Sequence, residues 1–310
     1  MMTAEELNAH IAGGTINDVI RVAEAKQIKH LSRIADEICA KSDLRLVLVT
    51  GASAAGKTTT AKRICTQLLV NGRPAAMHLS TDDYFVGDAR NPRDENGNLD
   101  YEHVDCVDTP RLASDINALL RGESIPRRRF DFVRHEPAFT DEYLELPEGG
   151  MVVLEGIHAL NPRLTEGIDD AMKFRVFIEP IPDLDVFGGI TPSSADARFL
   201  RRMVRDNQFR KLGPAETIAL WPKVLEGERT WIDPFRGHAD AAFNSYLVYE
   251  LAALKFYVGG LLERARLELG EIPQVMNMIR LLQTVNPISP EAVPGDSILR
   301  ETIGGSQLEY

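Results

Sequence analysis

Apolar residues gather along this chain in two kinds of stretch. Residues 44–50, 75–79, 151–154, 174–178 and 239–243 are short runs of strand length, rich in Val, Leu, Ile, Ala, Met and Phe. The runs at 151–154 and 174–178 are apolar without alternation, as strands buried on both faces would be. Between the runs, apolar positions recur at intervals of three and four. Ile16, Val19, Ile20, Ala23, Leu31, Ile34 and Ile38 predict a helix over 16–41. Further helices are expected over 57–69, 109–120, 195–211, 247–269 and about 272–285, with Thr109 as a cap and Pro110 at a first helical position. Gly, Pro, Asn and Asp crowd residues 87–100 into a surface loop, and the tail from residue 286 reads as an irregular arm. Strands that alternate with helices fold as a parallel α/β sheet with helices on both faces.

The first strand stops at Gly51-Ala52-Ser53-Ala54-Ala55-Gly56-Lys57-Thr58, a GxxxxGK[ST] loop entered from a strand and left by a helix. Glycines let the backbone close round a phosphate. The N–H groups of Gly56, Lys57 and Thr58 then point at the anion from a helix N-terminus. Lys57 supplies charge to the β- and γ-phosphates, the Thr58 hydroxyl is a magnesium ligand, and Thr59 continues the cradle.

Two acidic positions give this loop a direction. Glu155 ends the run 151–154, where a Walker B acid would hold magnesium; an N-cap or a surface glutamate is the plainer reading. Asp82 and Asp83 follow the second strand, where a carboxylate can take a proton from an acceptor hydroxyl, or simply form an Asx turn. Arg198, Arg201, Arg202 and Arg205 share a helical face, which fits a lid closing over a transferring phosphoryl group or a solvated face paired with Asp196 and Asp206. The run Arg127-Arg128-Arg129 reads as solvated surface.

Composition narrows the class. The 310 residues are 44% hydrophobic and 26% charged, with a net charge of −11, which argues against bulk nucleic-acid or anionic-membrane binding. Three scattered cysteines form no metal pattern and favour a reducing cytoplasm. The N-terminus lacks a signal-type apolar core, and no run reaches membrane-span length.

The ordered motifs together resemble the uridine kinase and phosphoribulokinase group of P-loop kinases, most closely bacterial uridine kinase-like nucleoside kinases. They are the loop 51–58, Asp82-Asp-Tyr84-Phe85, Tyr101-Glu102-His103, Phe130-Asp-Phe-Val-Arg-His135, Glu155-Gly-Ile-His-Ala-Leu-Asn161, the arginine helix and Ala239-Asp-Ala-Ala-Phe-Asn-Ser245. The tail Ser297–Ser306 resembles the end of these kinases. The resemblance implies a P-loop NTPase-type, five-stranded parallel sheet with an arginine-rich lid at about 183–217 and extra C-terminal helices. It implies ATP (or GTP) as phosphate donor, Mg2+, and a small-molecule acceptor, uridine or cytidine foremost. Asp82 matches the base that activates the acceptor's 5′-hydroxyl, and Glu155 the acid near magnesium. Glu102 matches the acid that holds ribose hydroxyls, and Arg198 an acceptor-contacting arginine. Arg201 and Arg202 fall in the phosphate-contacting lid, His135 lies where a histidine reads the pyrimidine edge, and Tyr84 and Phe85 line the acceptor side. Two positions depart from the pattern: Phe130 replaces a tyrosine, and Arg210-Lys211 replaces Arg-Gly at the end of the lid helix. The chain is expected to divide into a helical extension (1–43), a kinase domain (44–270) and a C-terminal helix with its arm (271–310), and homo-oligomers are compatible with this plan. The rival readings are a sugar or sugar-phosphate kinase, with the Arg127–Arg129 run holding an anionic group, and a nucleotide-dependent regulator without an acceptor.

Overall fold

The structure, a computed structural model, describes residues 1–131, 134–186 and 192–309. Residues 187–191 of the expected lid, and Phe132 and Val133 of the acceptor motif, lie outside the described residues.

In chain order the elements are β1 (Met2–Thr3), α1 (Ala4–Ala12), α2 (Ile16–Cys39), β2 (Leu46–Thr50), α3 (Lys57–Val70), β3 (Ala76–Ser80), α4 (Thr109–Leu120), β4 (Ile125–Asp131) and β5 (Glu136–Leu144). They continue with β6 (Met151–Glu155), β7 (Lys173–Glu179), β8 (Leu184–Asp185), α5 (Ser194–Phe209), α6 (Pro214–Gly227), β9 (Ala241–Asn244), α7 (Glu250–Leu269), α8 (Pro273–Gln283) and α9 (Arg300–Ile303). Five strands form one parallel sheet in the order β3-β6-β2-β7-β9. The unbroken apolar runs are explained by what covers them. On β2, Val47 and Val49 enter a core shared with α2, α3, α5 and α7, whereas Leu46 and Leu48 enter a second core against α4.

The parallel order places the C-terminal ends of β2, β3 and β6 side by side, and loops there carry the candidate chemistry. The long N-terminal helix α2 packs against the P-loop helix α3. Arg63 of α3 reaches Glu24 of α2 at 3.2 Å and Gln27 at 3.1 Å. Asp108, rather than Thr109, caps α4, because its carboxylate accepts the Arg111 N–H. The tail after α8 is not wholly irregular. It ends in α9, which lies against α5.

Candidate active site

The loop 51–56 joins β2 to α3 through a backbone that only small residues permit. A Cβ on Gly51 would come within 2.3 Å of the Ile178 carbonyl oxygen, and Gly56 has φ +90°. The Lys57 ammonium donates to the Ala52 carbonyl at 3.3 Å. Burial lowers the Lys57 pKa, against the opposing charges of Glu155, Asp82 and Glu301.

Glu155 ends β6 beside this loop. Its Oε1 accepts from the Ser80 hydroxyl at 2.8 Å and the Thr58 hydroxyl at 3.2 Å. Burial, reinforced by the Asp82 charge and opposed by Lys57, pushes the Glu155 carboxyl up to about 7. A buried carboxylate and a hydroxyl are hard oxygen donors short of compensating positive charge, so the pair fits a magnesium ion. Asp82 begins the turn after β3, where its N–H donates to Ser80 Oγ, and its charge acts on Lys57 and Glu155 together. Asp83 turns away to Arg129, at 3.3 Å. Glu102 faces the same cleft. Its side chain abuts Gly227; burial raises its pKa, opposed chiefly by Arg202 and then Lys57.

The arginines of α5 do two different things. Arg201 departs from the expectation of a phosphate-contacting lid residue. It is buried, with Nε and Nη2 each 2.6 Å from a Glu250 carboxylate oxygen. Its remaining N–H groups reach Ser245 O at 2.9 Å and the P-loop carbonyls of Ala54 and Ala55 at 3.4 and 3.3 Å. Arg201 therefore braces the loop from beneath. Arg202 and Arg205 instead reach the Ser53 hydroxyl, at 2.8 and 3.4 Å. Both share the fully buried Asp206 with Arg210, so three guanidiniums surround one carboxylate beside the P-loop. The Arg205 charge, with burial, pulls the Arg210 pKa down to about 10. Of the paired acids weighed from the sequence, only Asp206 plays that part, since Asp196 joins Ser193 in the capping box of α5. Arg198 is buried against Glu228 at 2.6 Å and over the Trp221 ring.

The expected acceptor residues divide as well. Phe130 and Phe85 are buried edge to face, with centroids 5.4 Å apart, and Tyr101 joins them. His135 is exposed, its Nδ1 2.9 Å from the Tyr101 hydroxyl, which is itself bound to Asp88. Tyr84 is turned into the core, where its hydroxyl donates to Asp115 at 3.1 Å, so it lines no acceptor surface. The Arg127–Arg129 run is not plain solvated surface. Arg127 pairs with Glu142, Arg129 with Asp83, and Arg128 is buried over the rings of Tyr84 and Phe139. Sequence reasoning left Arg210 out of the site and gave no sign of Glu301, whose carboxylate meets Thr59 at the start of α3. Arg205 was legible from its spacing; Glu301 lies 242 residues from its partner, and the resemblance of the tail Ser297–Ser306 assigned it no place in the site.

A strand–loop–helix phosphate cradle at the C-terminal edge of a parallel sheet, with a buried acid at the next strand end, defines a nucleotide-binding protein of the P-loop class. The model of the phosphoribulokinase / uridine kinase family matches residues 46–251. A uridine kinase of Deinococcus deserti is 30% identical over 193 residues, covering 62% of this chain and 83% of that protein. A uridine kinase of Halobacterium salinarum is 29% identical over 195 residues, covering 62% of this chain and 76% of that one. The solved structure of a proposed fructose transport system kinase from Silicibacter sp. TM1040 has a TM-score of 0.50 at 18% identity, covering 68% of this chain and 98% of that one, a likeness of fold alone. The chain belongs to the phosphoribulokinase / uridine kinase family. It is a phosphotransferase that passes a phosphoryl group from a nucleotide donor to an alcohol group on a small molecule. Among the described residues no helix is long and apolar enough to cross a membrane.

Proposed function

We propose that the protein phosphorylates the 5′-hydroxyl of a nucleoside, uridine or cytidine foremost, with ATP as donor. The observation that carries the reading is the hydrogen-bonded link between the P-loop and Asp82: Thr58 and Ser80 both donate to Glu155, at 3.2 and 2.8 Å, and Ser80 Oγ accepts the Asp82 N–H at 3.3 Å. The Asp82 carboxylate takes the proton of the acceptor hydroxyl. The freed oxygen attacks the γ-phosphorus as the bond to the β–γ bridging oxygen breaks, and the electron pair leaves on ADP. Lys57 and the N–H groups at the start of α3 hold the phosphates, while Arg202, Arg205 and Arg210 supply the positive charge beside Ser53. Thr58 and Glu155 would hold magnesium, which neutralises phosphate charge when bound. Glu102 orients the ribose hydroxyls, and the exposed His135, beside the buried Phe130, receives the base; Arg198, held by Glu228 and Trp221, stands behind the P-loop and does not line the acceptor.

The arginine run bears on the rival acceptor. A sugar phosphate would need a cation beside Phe130, but Arg127 and Arg129 are paired with Glu142 and Asp83. Phe130 lacks the hydroxyl that tyrosine offers, so discrimination among bases is expected to be loose. The test is acceptor-dependent ADP release with uridine, cytidine, a purine nucleoside, free sugars and sugar phosphates. Turnover is expected with the pyrimidine nucleosides. Turnover with sugars or sugar phosphates alone would replace the nucleoside.

A further inference from the structure

We propose that Glu301, carried on the C-terminal arm, sets the donor affinity of this enzyme by competing with the nucleotide's phosphate tail for the first turn of α3. The proposal rests on reading residues 51–59 as the phosphate cradle. Glu301 Oε2 accepts both the Thr59 N–H, at 3.2 Å, and the Thr59 hydroxyl, at 2.8 Å. Thr59 is the third residue of α3 and is fully buried, so its N–H is one of the groups left over at the helix start. A carboxylate held there uses the donors, and the local positive potential, that the cradle offers to an anion.

The placement is specific. The Glu301 charge acts on Lys57, Arg201 and Glu155, so it stands inside the field of the site and not at its rim. Three residues earlier, Ile298 lies over Gly56, where an added Cβ would come within 2.4 Å of its Cδ1. The arm that delivers both residues is fixed. Arg63 donates to the Asp296 carbonyl at 2.5 Å, and Ser297 is bonded to Tyr249. The Arg300 guanidinium donates to the carbonyls of Pro290, Val293, Pro294 and Gly304. The arm therefore stays seated when nucleotide arrives, and only the torsions of the Glu301 side chain need to change.

The consequence follows from charge. Without nucleotide, Glu301 compensates the N–H groups and cations of the cradle and so stabilises the protein. With nucleotide, two anions seek the same donors, and the displaced carboxylate remains close enough to repel the phosphates. Donor binding is weaker by the difference. Glutamine at 301 keeps an oxygen that accepts from Thr59 but removes the repulsion; alanine removes both.

The test measures Mg·ATP binding by calorimetry in the full-length parent, Glu301→Gln and Glu301→Ala, together with the melting temperature of each nucleotide-free protein. Glu301→Ala is expected to lower the Kd about tenfold, with Glu301→Gln between it and the parent. Glu301→Ala is also expected to melt lower than the parent without nucleotide and to gain more on adding it. A Kd unchanged or raised in both variants, with parent binding intact, would overturn the proposal and leave Glu301 as a helix cap. A parent that binds no Mg·ATP overturns the cradle reading, and this proposal with it.

Discussion

Arg201 and Glu250 form the most deeply buried ion pair beside the P-loop, and their geometry decides what Arg201 can do. The two-pronged contact at 2.6 Å satisfies both carboxylate oxygens, and the outer N–H groups close on Ser245, Ala54 and Ala55. No donor is left for a phosphate. Arg201→Ala would strand a buried carboxylate, a change that costs about 3–5 kcal/mol, and would loosen the loop at the same time. A Tm depressed by many degrees, with activity lost along with it, is the expected outcome. Arg202 faces the Ser53 hydroxyl and shares Asp206 with two other arginines, so Arg202→Ala should depress kcat while the Tm moves little. Thermal unfolding and steady-state kinetics on the two variants separate these roles. Equal Tm values would contradict the assignment of Arg201 as the brace.

Elements were legible wherever a single local signal dictated them. The apolar run at 151–154 became β6 because both of its faces are covered, and Pro110 started α4 where its ring suits the first turn. The glycine at the head of the P-loop reports a backbone contact, Gly51 against Ile178, that any side chain would block. The hairpin β4–β5 escaped notice because β4, Ile125–Asp131, carries three consecutive arginines and little apolar signal. Ile125 and Phe130 enter the second core, and the arginines between them are satisfied by pairing and stacking. The split among the α5 arginines was equally hidden, since spacing puts residues on one helical face but does not say which partner each will meet. The departure at Lys211 has a structural correlate. Its φ is +57°, a conformation glycine adopts freely, so this chain carries local backbone cost at the end of the arginine helix.

At the scale of the whole molecule, the sheet order brings three loops together: the P-loop after β2, Asp82 after β3 and Glu155 at the end of β6. The same crowding buries His158 just beyond Glu155. Burial, helped by the charges of His103 and Lys57, lowers its pKa from 6.5 to about 4. Below pH 6.5 the unfolded chain then binds a proton that the folded one refuses. His158 is expected to remove up to about 3 kcal/mol of stability as pH falls through this window. Urea unfolding of the parent and His158→Gln at about pH 7 and about pH 4.5 checks the sign: the variant should lose less between the two. A steeper acid loss in the variant would contradict a neutral buried imidazole. The central claim is that this arrangement transfers a phosphoryl group with Asp82 as the base. Its most direct measurement is single-turnover transfer of a labelled γ-phosphoryl group from ATP to uridine, in the parent and in Asp82→Asn. The asparagine keeps the shape but cannot take the proton, so the rate should fall by about 10²–10⁴-fold with ATP affinity nearly unchanged. Transfer by Asp82→Asn at close to the parent rate would contradict it.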